Sequence, residues 1–344
     1  MEIGVILITG ESPFDKAATL PKHIRNVAGL DSGSMGHSFV HWDLLGRSVV
    51  ARTIDRLKAA GLKLISVVQD DKKERDHPKV EPWEKILRDY VRNGTRQTLV
   101  ISARRYTEID IAELIAFHRQ TSSAVTNATY QDGPLGVTLI DSKCVAGDDH
   151  PISTRLPAFA ACSSTYEYAG YVNHLSTAAE YRELIHRALT GRCSVRPVGR
   201  EVKAKVWIGD RARIHRSVRL VAPSYVGAGT QIHAGALVAA TSVERDSEID
   251  CGTVAECCSI LPHTYIGPGL HVSHSVVNGT RLFHLGRALD IELGETGLIR
   301  NIGNASSSRF VESFGTFLHS RFRRERRAGA PTPSQAAASL ERAQ

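Results

Sequence analysis

Long apolar runs are missing from this sequence. Its 344 residues contain no stretch of about 18 uninterrupted apolar residues, so no membrane-spanning helix is expected. The opening MEIGVILITG has an acidic second residue and only a short apolar run, Ile3 to Ile8, which suits a first buried strand better than a signal peptide. Paired cysteines are missing too. The six cysteines, at 144, 162, 193, 251, 257 and 258, follow no repeating framework, and a chain of this length needs none. Reduced thiols and a cytoplasmic location are the expectation. Cys251, Cys257, Cys258 and His263 lack the paired CxxC arms of a structural zinc site, so no metal is expected on them. A nucleic-acid motif is also absent. Of the net charge of +7, residues 301–344 contribute +4, with seven Arg and three Glu. The body is only mildly basic and does not interleave its cations with aromatics, so nucleic acid is not an expected partner.

Apolar content of 42% and charged content of 23% describe an ordinary soluble globular chain, long enough for two domains. Its first half alternates strand-like and helix-like segments. IGVILIT (3–9), LISVV (64–68), TLVIS (98–102), AVTNATY (124–130) and GVTLI (136–140) are β-rich runs. Between and after them, four apolar stripes follow helical spacing: Val50, Ile54, Leu57 with Gly61 behind; Trp83, Ile86, Leu87, Tyr90, Val91; Ile111, Leu114, Ile115, His118; and Tyr181, Leu184, Ile185, Ala188, stopped by Gly191. Such alternation predicts an α/β fold with a mostly parallel sheet covered by helices on both faces.

From Val206 the period changes. Ile208, Ile214, Leu220, Val226, Ile232 and Val238 fall on every sixth position, which neither a helix nor a flat strand requires. A triangular parallel β-helix does require it: each face of about six residues sends one aliphatic side chain inward. Small residues such as Gly209, Gly227 and Ala234 suit its tight corners. After Val238 the count reaches Glu244, which cannot be an apolar plug. Val243 and Ile249 restart it, and Val254, Ile260, Ile266 and Val272 continue. One or two protruding corners are therefore expected in 239–253, then further coils to about residue 280. Beyond them, SRFVESFGTFLHSRFRRERR (308–327) sets five bulky apolar residues among basic ones, a pattern for peripheral membrane or protein contact. The remainder, 328–344, has the composition of a disordered tail.

With these elements placed, the chain resembles the sugar nucleotidyltransferases, the NDP-sugar pyrophosphorylase family, which often carry a C-terminal left-handed β-helix. VILITGESPFDKAATLPK (5–22) is similar to the family's opening strand, nucleotide loop and Pro-Lys. LLGRSVVARTIDRLKAAGL (44–62) is similar to its G-[KR]-P turn and helix, and TLVISARRYTEIDIAELIAFHRQ (98–120) to the strand that ends at a metal-binding Gly-Asp. GVTLID (136–141), YEYAGYVNHL (166–175) and PHTYIGPGLHVSHSVVNGTRL (262–282) follow in the family's order. The resemblance implies a Rossmann-like nucleotidyltransferase domain over 1–195, a left-handed β-helix of hexapeptide repeats over 196–290, and a basic segment and tail over 291–344.

The resemblance also implies a reaction, NTP and sugar 1-phosphate giving NDP-sugar and pyrophosphate, with Mg²⁺ as cofactor. It places Gly10 and Lys22 on the nucleotide, Lys22 and Lys16 as catalytic cations, and Lys143 and Gly170 on the sugar phosphate. Several family features have gone. GESPFD (10–15) replaces G-x-G-T-R, with Pro13 removing a backbone donor and no arginine present. Ala103 and Arg104 stand where Gly-Asp would hold the metal, with Asp110 the nearest surrogate acid in sequence. DDKKERDHPK occupies the base-recognition segment, and E-K-P is missing after the GV strand. Losses at phosphate, metal, base and sugar together imply weak or absent catalysis, no firm metal site, and a binding or scaffold role toward a nucleotide sugar or sugar phosphate. A homo-oligomer through the β-helix is expected. The alternative class is an acyl-CoA-dependent acyltransferase with a general base among His215, His233, His263, His271 and His274.

Overall fold

The computed structural model describes residues 3–9, 39–68, 82–131, 133–145, 163–293 and 297–302. Strand β1 (Ile3–Ile8) is buried throughout. Its alternate side chains enter two cores: Val5 and Leu7 pack with Leu57, Leu99 and Leu114, whereas Ile6 and Ile8 pack with Trp83, Leu87 and Tyr90. A strand covered on both faces has no polar side, which is why its sequence reads as an unbroken apolar run. The remaining strands of this half are β2 (Leu64–Val68), β3 (Gln97–Ser102), β4 (Tyr106–Thr107), β5 (Val125–Tyr130), β6 (Gly133–Asp141), β7 (Ser163–Glu167) and β8 (Val172–Asn173).

Six of them form one mixed sheet in the order β2-β1-β3-β6-β5-β7. Five run in one direction, as the alternation of strand and helix predicts; β6 is antiparallel to both β3 and β5. The exception has a local cause. Only two residues separate β5 from β6, room for a hairpin but not for the crossover that a parallel neighbour needs. The four apolar stripes become α1 (Val49–Ala59), α2 (Pro82–Arg92), α3 (Ile111–Thr121) and α4 (Ala178–Thr190). Ser48 and Asp110 cap α1 and α3, Pro82 opens α2, and Thr177 with Glu180 forms a capping box on α4.

From Val206 the chain winds through three parallel sheets in turn, an arrangement compatible with a β-helix. Stacked inward positions are Ile208, Val226, Val243, Ile260 and Val277 on one face, and Ile214, Ile232, Ile249 and Ile266 on the next. Leu220, Val238, Ala255 and Val272 line the third. The first full turn advances 18 residues, Ile208 to Val226, and each later turn 17, Val226 to Val243 and Val243 to Ile260. The register break at Glu244 is therefore a corner one residue shorter, repeated on each later turn. No corner protrudes between 239 and 253, and Ala255 rather than Val254 points inward.

The corners need left-handed backbone, and residues 17 apart share it. Gly235, Gly252 and Gly269 form one such column at positive φ, Gly229, Asp246 and His263 a second, and Ala240, Cys257 and His274 a third. Within the coil, hydroxyls two residues before the inward aliphatics donate to carbonyls of the next turn. Thr230 reaches Glu244 O at 2.9 Å, Thr241 Ala255 O at 3.1 Å and Ser247 Leu261 O at 3.0 Å. The Cys258 thiol takes the same place toward Val272 O. Antiparallel strands close both ends: Arg200–Lys203 at the start, Arg281–His284 and Leu289–Glu292 at the finish. A shared core then joins the two halves, with Trp42, Leu45, Tyr181 and Leu184 against Tyr225, Leu261, Val276 and Phe283. Cys193, Cys251, Cys257 and Cys258 are free thiols. No described helix is long and apolar enough to cross a membrane.

Candidate functional site

Open α/β sheets bind ligands beyond the carboxyl ends of their strands. Here that edge lies after β1 and β3, where Ala103 N donates to Ile8 O at 2.8 Å and Thr9 N to Val68 O at 3.0 Å. Ala103 is buried and Arg104 exposed, while the Arg105 guanidinium donates to Pro134 O. β4 pairs antiparallel with β8 and brings the 166–175 segment alongside. Arg56 of α1 donates to Thr107 O and Ile109 O and pins the path after β3. Thr53, Arg56, Ser102, Ala103, Arg105 and Thr107 line a cavity of about 20 Å³ there, enough for a water molecule.

Two described acids near this edge, Glu108 and Asp110, have structural roles. Glu108 accepts from Tyr106 Oη at 2.8 Å and from Ser194 N. Burial works to raise its carboxyl, but the bonds from Ser194 and Tyr106 outweigh it and hold the group below its ordinary range. Burial meanwhile drives the Tyr106 phenol well above its own. Asp110, the surrogate considered for a metal ligand, accepts from Ala112 N at 2.8 Å and Glu113 N at 3.3 Å as the cap of α3. Mg²⁺ is held by carboxylate oxygens at the site itself. An alanine and an exposed arginine at the end of β3 do not fit that ion.

Gly170 follows β7 on this same edge and is exposed, its Cα tight against the Tyr168 ring, whose Oη would lie 2.2 Å from any added Cβ. Lys143 lies on the opposite edge. Because β6 runs antiparallel, its last residue Asp141 pairs with Gln97, the first residue of β3, and the exposed Lys143 follows it. The structure does not bring Lys143 and Gly170 together. Gly10, Lys16, Lys22 and the 308–327 segment lie outside the described residues.

A second constellation sits where the halves join. Glu244 is fully buried, and its carboxylate accepts from Leu45 N and Gly46 N, each at 2.8 Å. Burial, reinforced by the Asp43 charge, pushes this carboxyl up to about 7 against the pull of those two donors. Arg245 donates to Asp43 Oδ2 at 2.6 Å, and Tyr181 Oη to Asp43 O. Arg52 donates to Leu44 O at 2.7 Å and Leu45 O at 2.8 Å. The turn at Leu45 and Gly46 is thus held by an acid from the coil. In the sequence Glu244 shows only as a residue that spoils the count of six. Its polarity at that point was the signal.

The coil histidines have separate environments. His233 Nε2 donates to Glu248 Oε1 at 2.8 Å and His271 Nε2 to Glu256 Oε2 at 3.3 Å. His215 bonds Ser217, and His263 and His274 turn corners at positive φ. Cys257 also turns a corner and Cys258 points into the coil, so neither stands with Cys251 as a zinc ligand. Among models of protein families none matches this chain, and no characterised protein matches it in sequence.

Proposed function

We propose that this chain is a sugar nucleotidyltransferase-like protein that retains the family's fold, including a left-handed coil, while its ordinary pyrophosphorylase activity is weak or lost. Its role is to bind a nucleotide sugar or sugar phosphate in nucleotide-sugar or polysaccharide metabolism, as a homo-oligomer built through the coil. The observation that carries this reading is the end of β3. There Ala103 is buried and Arg104 exposed where metal-assisted phosphoryl chemistry calls for an acid, and Asp110 caps α3 through Oδ1. Loss of a single such charge contact costs about 10²–10³ in rate.

Purified protein incubated with Mg²⁺, each NTP and a panel of sugar 1-phosphates should release little or no pyrophosphate. Thermal shift with the corresponding nucleotide sugars should still register stabilisation. Robust turnover refutes the loss of catalysis, and a flat response to every nucleotide sugar refutes the binding role. A second reading, acyl transfer, is favoured by the two imidazoles oriented by carboxylates, His233 on Glu248 and His271 on Glu256. Stabilisation by acyl-CoA, with none by nucleotide sugars, would decide for it.

A further inference from the structure

We propose that the coil carries a transition-metal site, best suited to Zn²⁺, formed by His233, Asp250 and Cys251. Nitrogen, oxygen and sulfur donors from these three side chains lie within 4.8 Å of one another. The winding explains why they meet. His233 follows the inward Ile232 and Asp250 the inward Ile249, and those two residues pair one turn apart. His233 N donates to Ile249 O at 2.9 Å, so the outward side chains of 233 and 250 leave adjacent turns at one height on the face. Cys251 comes next, just before the corner at Gly252.

The donors are supported as metal ligands are. Glu248 orients the His233 imidazole at 2.8 Å, and Tyr265 Oη donates to Asp250 Oδ2 at 2.7 Å. Carboxylates behind a histidine and hydrogen bonds onto a ligating carboxylate are the usual outer shell of such sites. Cys251 N donates to the other oxygen, Asp250 Oδ1, at 2.6 Å. A divalent cation draws the Cys251 thiol to thiolate. Carboxylate and thiolate then match the 2+ charge, and the mixed N/O/S set selects zinc-like ions over Mg²⁺ or Ca²⁺. Tetrahedral ligands around zinc stand about 3.3–3.8 Å apart, given bonds of 2.0–2.3 Å. Rotation of the exposed Cys251 about its single χ angle can close the set. A fourth position is left for water.

The test uses the untagged full chain, stripped with a chelator and titrated with Zn²⁺ against a chromophoric competitor, and separately with Co²⁺. One Zn²⁺ per chain is expected, together with a thiolate-to-cobalt charge-transfer band in the near ultraviolet. Cys251→Ser should abolish the band. Both Cys251→Ser and His233→Ala should weaken zinc binding at least about tenfold. His271→Ala removes the His271–Glu256 pair, which belongs to no three-donor cluster among the described residues, and should leave binding unchanged. These positions are on the outside of the coil, and an unchanged circular dichroism spectrum verifies folding. Binding well below one equivalent, a cobalt spectrum without the band, or wild-type affinity in Cys251→Ser would each overturn the site.

Discussion

At the scale of single residues, Glu244 is the group whose behaviour most departs from its type. In the unfolded chain its carboxyl titrates near 4.5, and in the fold near 7. Between these values the folded chain holds a proton that the unfolded chain has released. The contribution of this group to stability is therefore full below about pH 4.5 and is lost as pH rises through 7, a change on the order of 3 kcal/mol. Urea unfolding at pH 5, 6, 7 and 8 should show this decline. Glu244→Gln should flatten it while lowering stability at pH 5, because an amide offers one acceptor to two backbone donors. An unchanged slope in the variant would mean that another group titrates.

At the scale of elements, the coil uses glycine in two physically different ways. Gly227 has an ordinary φ but lies so close to the next turn that an added Cβ would stand 2.4 Å from Arg245 N. Gly252 is open on that side but has φ +68. Gly227→Ala forces two backbones apart and should cost about 2–3 kcal/mol. Gly252→Ala pays only for a left-handed residue, about 1 kcal/mol. Thermal unfolding of the two variants should rank them in that order, and the reverse ranking would show the turns to be less tightly stacked. The six-residue period was legible because it depends on one side chain per face. The shortened corner was not, since Val238 to Val243 breaks the count without revealing whether the chain bulges or tightens.

At the scale of the molecule, the joint between the halves rests on polar contacts set among apolar ones. Arg182 of α4 donates to Cys257 O at 3.1 Å and to Ala240 O, two corner carbonyls of the coil. Arg182→Met removes both charge-assisted bonds and leaves two carbonyls unsatisfied, a loss of about 2–4 kcal/mol. With the shared core intact, calorimetry of the native chain should give one unfolding transition. In Arg182→Met the transition should broaden or split as the coil and the α/β half come apart. A sharp single transition at the native temperature would show that the apolar contacts alone join them.

The sequence by itself determined the local elements: the buried strand Ile3–Ile8, the apolar faces of four helices, and the change of period at Val206, all of which follow from the spacing of apolar side chains. It also placed no acid at the end of β3, where Ala103 and Arg104 stand. Only the tertiary structure decided the direction of β6, and with it the removal of Lys143 from the edge that carries Gly170. The same holds for the burial of Glu244 against Leu45 and Gly46 and for the meeting of His233 with Cys251. Periodicity records which face of its own element a residue occupies. Which face of another element lies opposite is settled by packing between segments far apart in the chain.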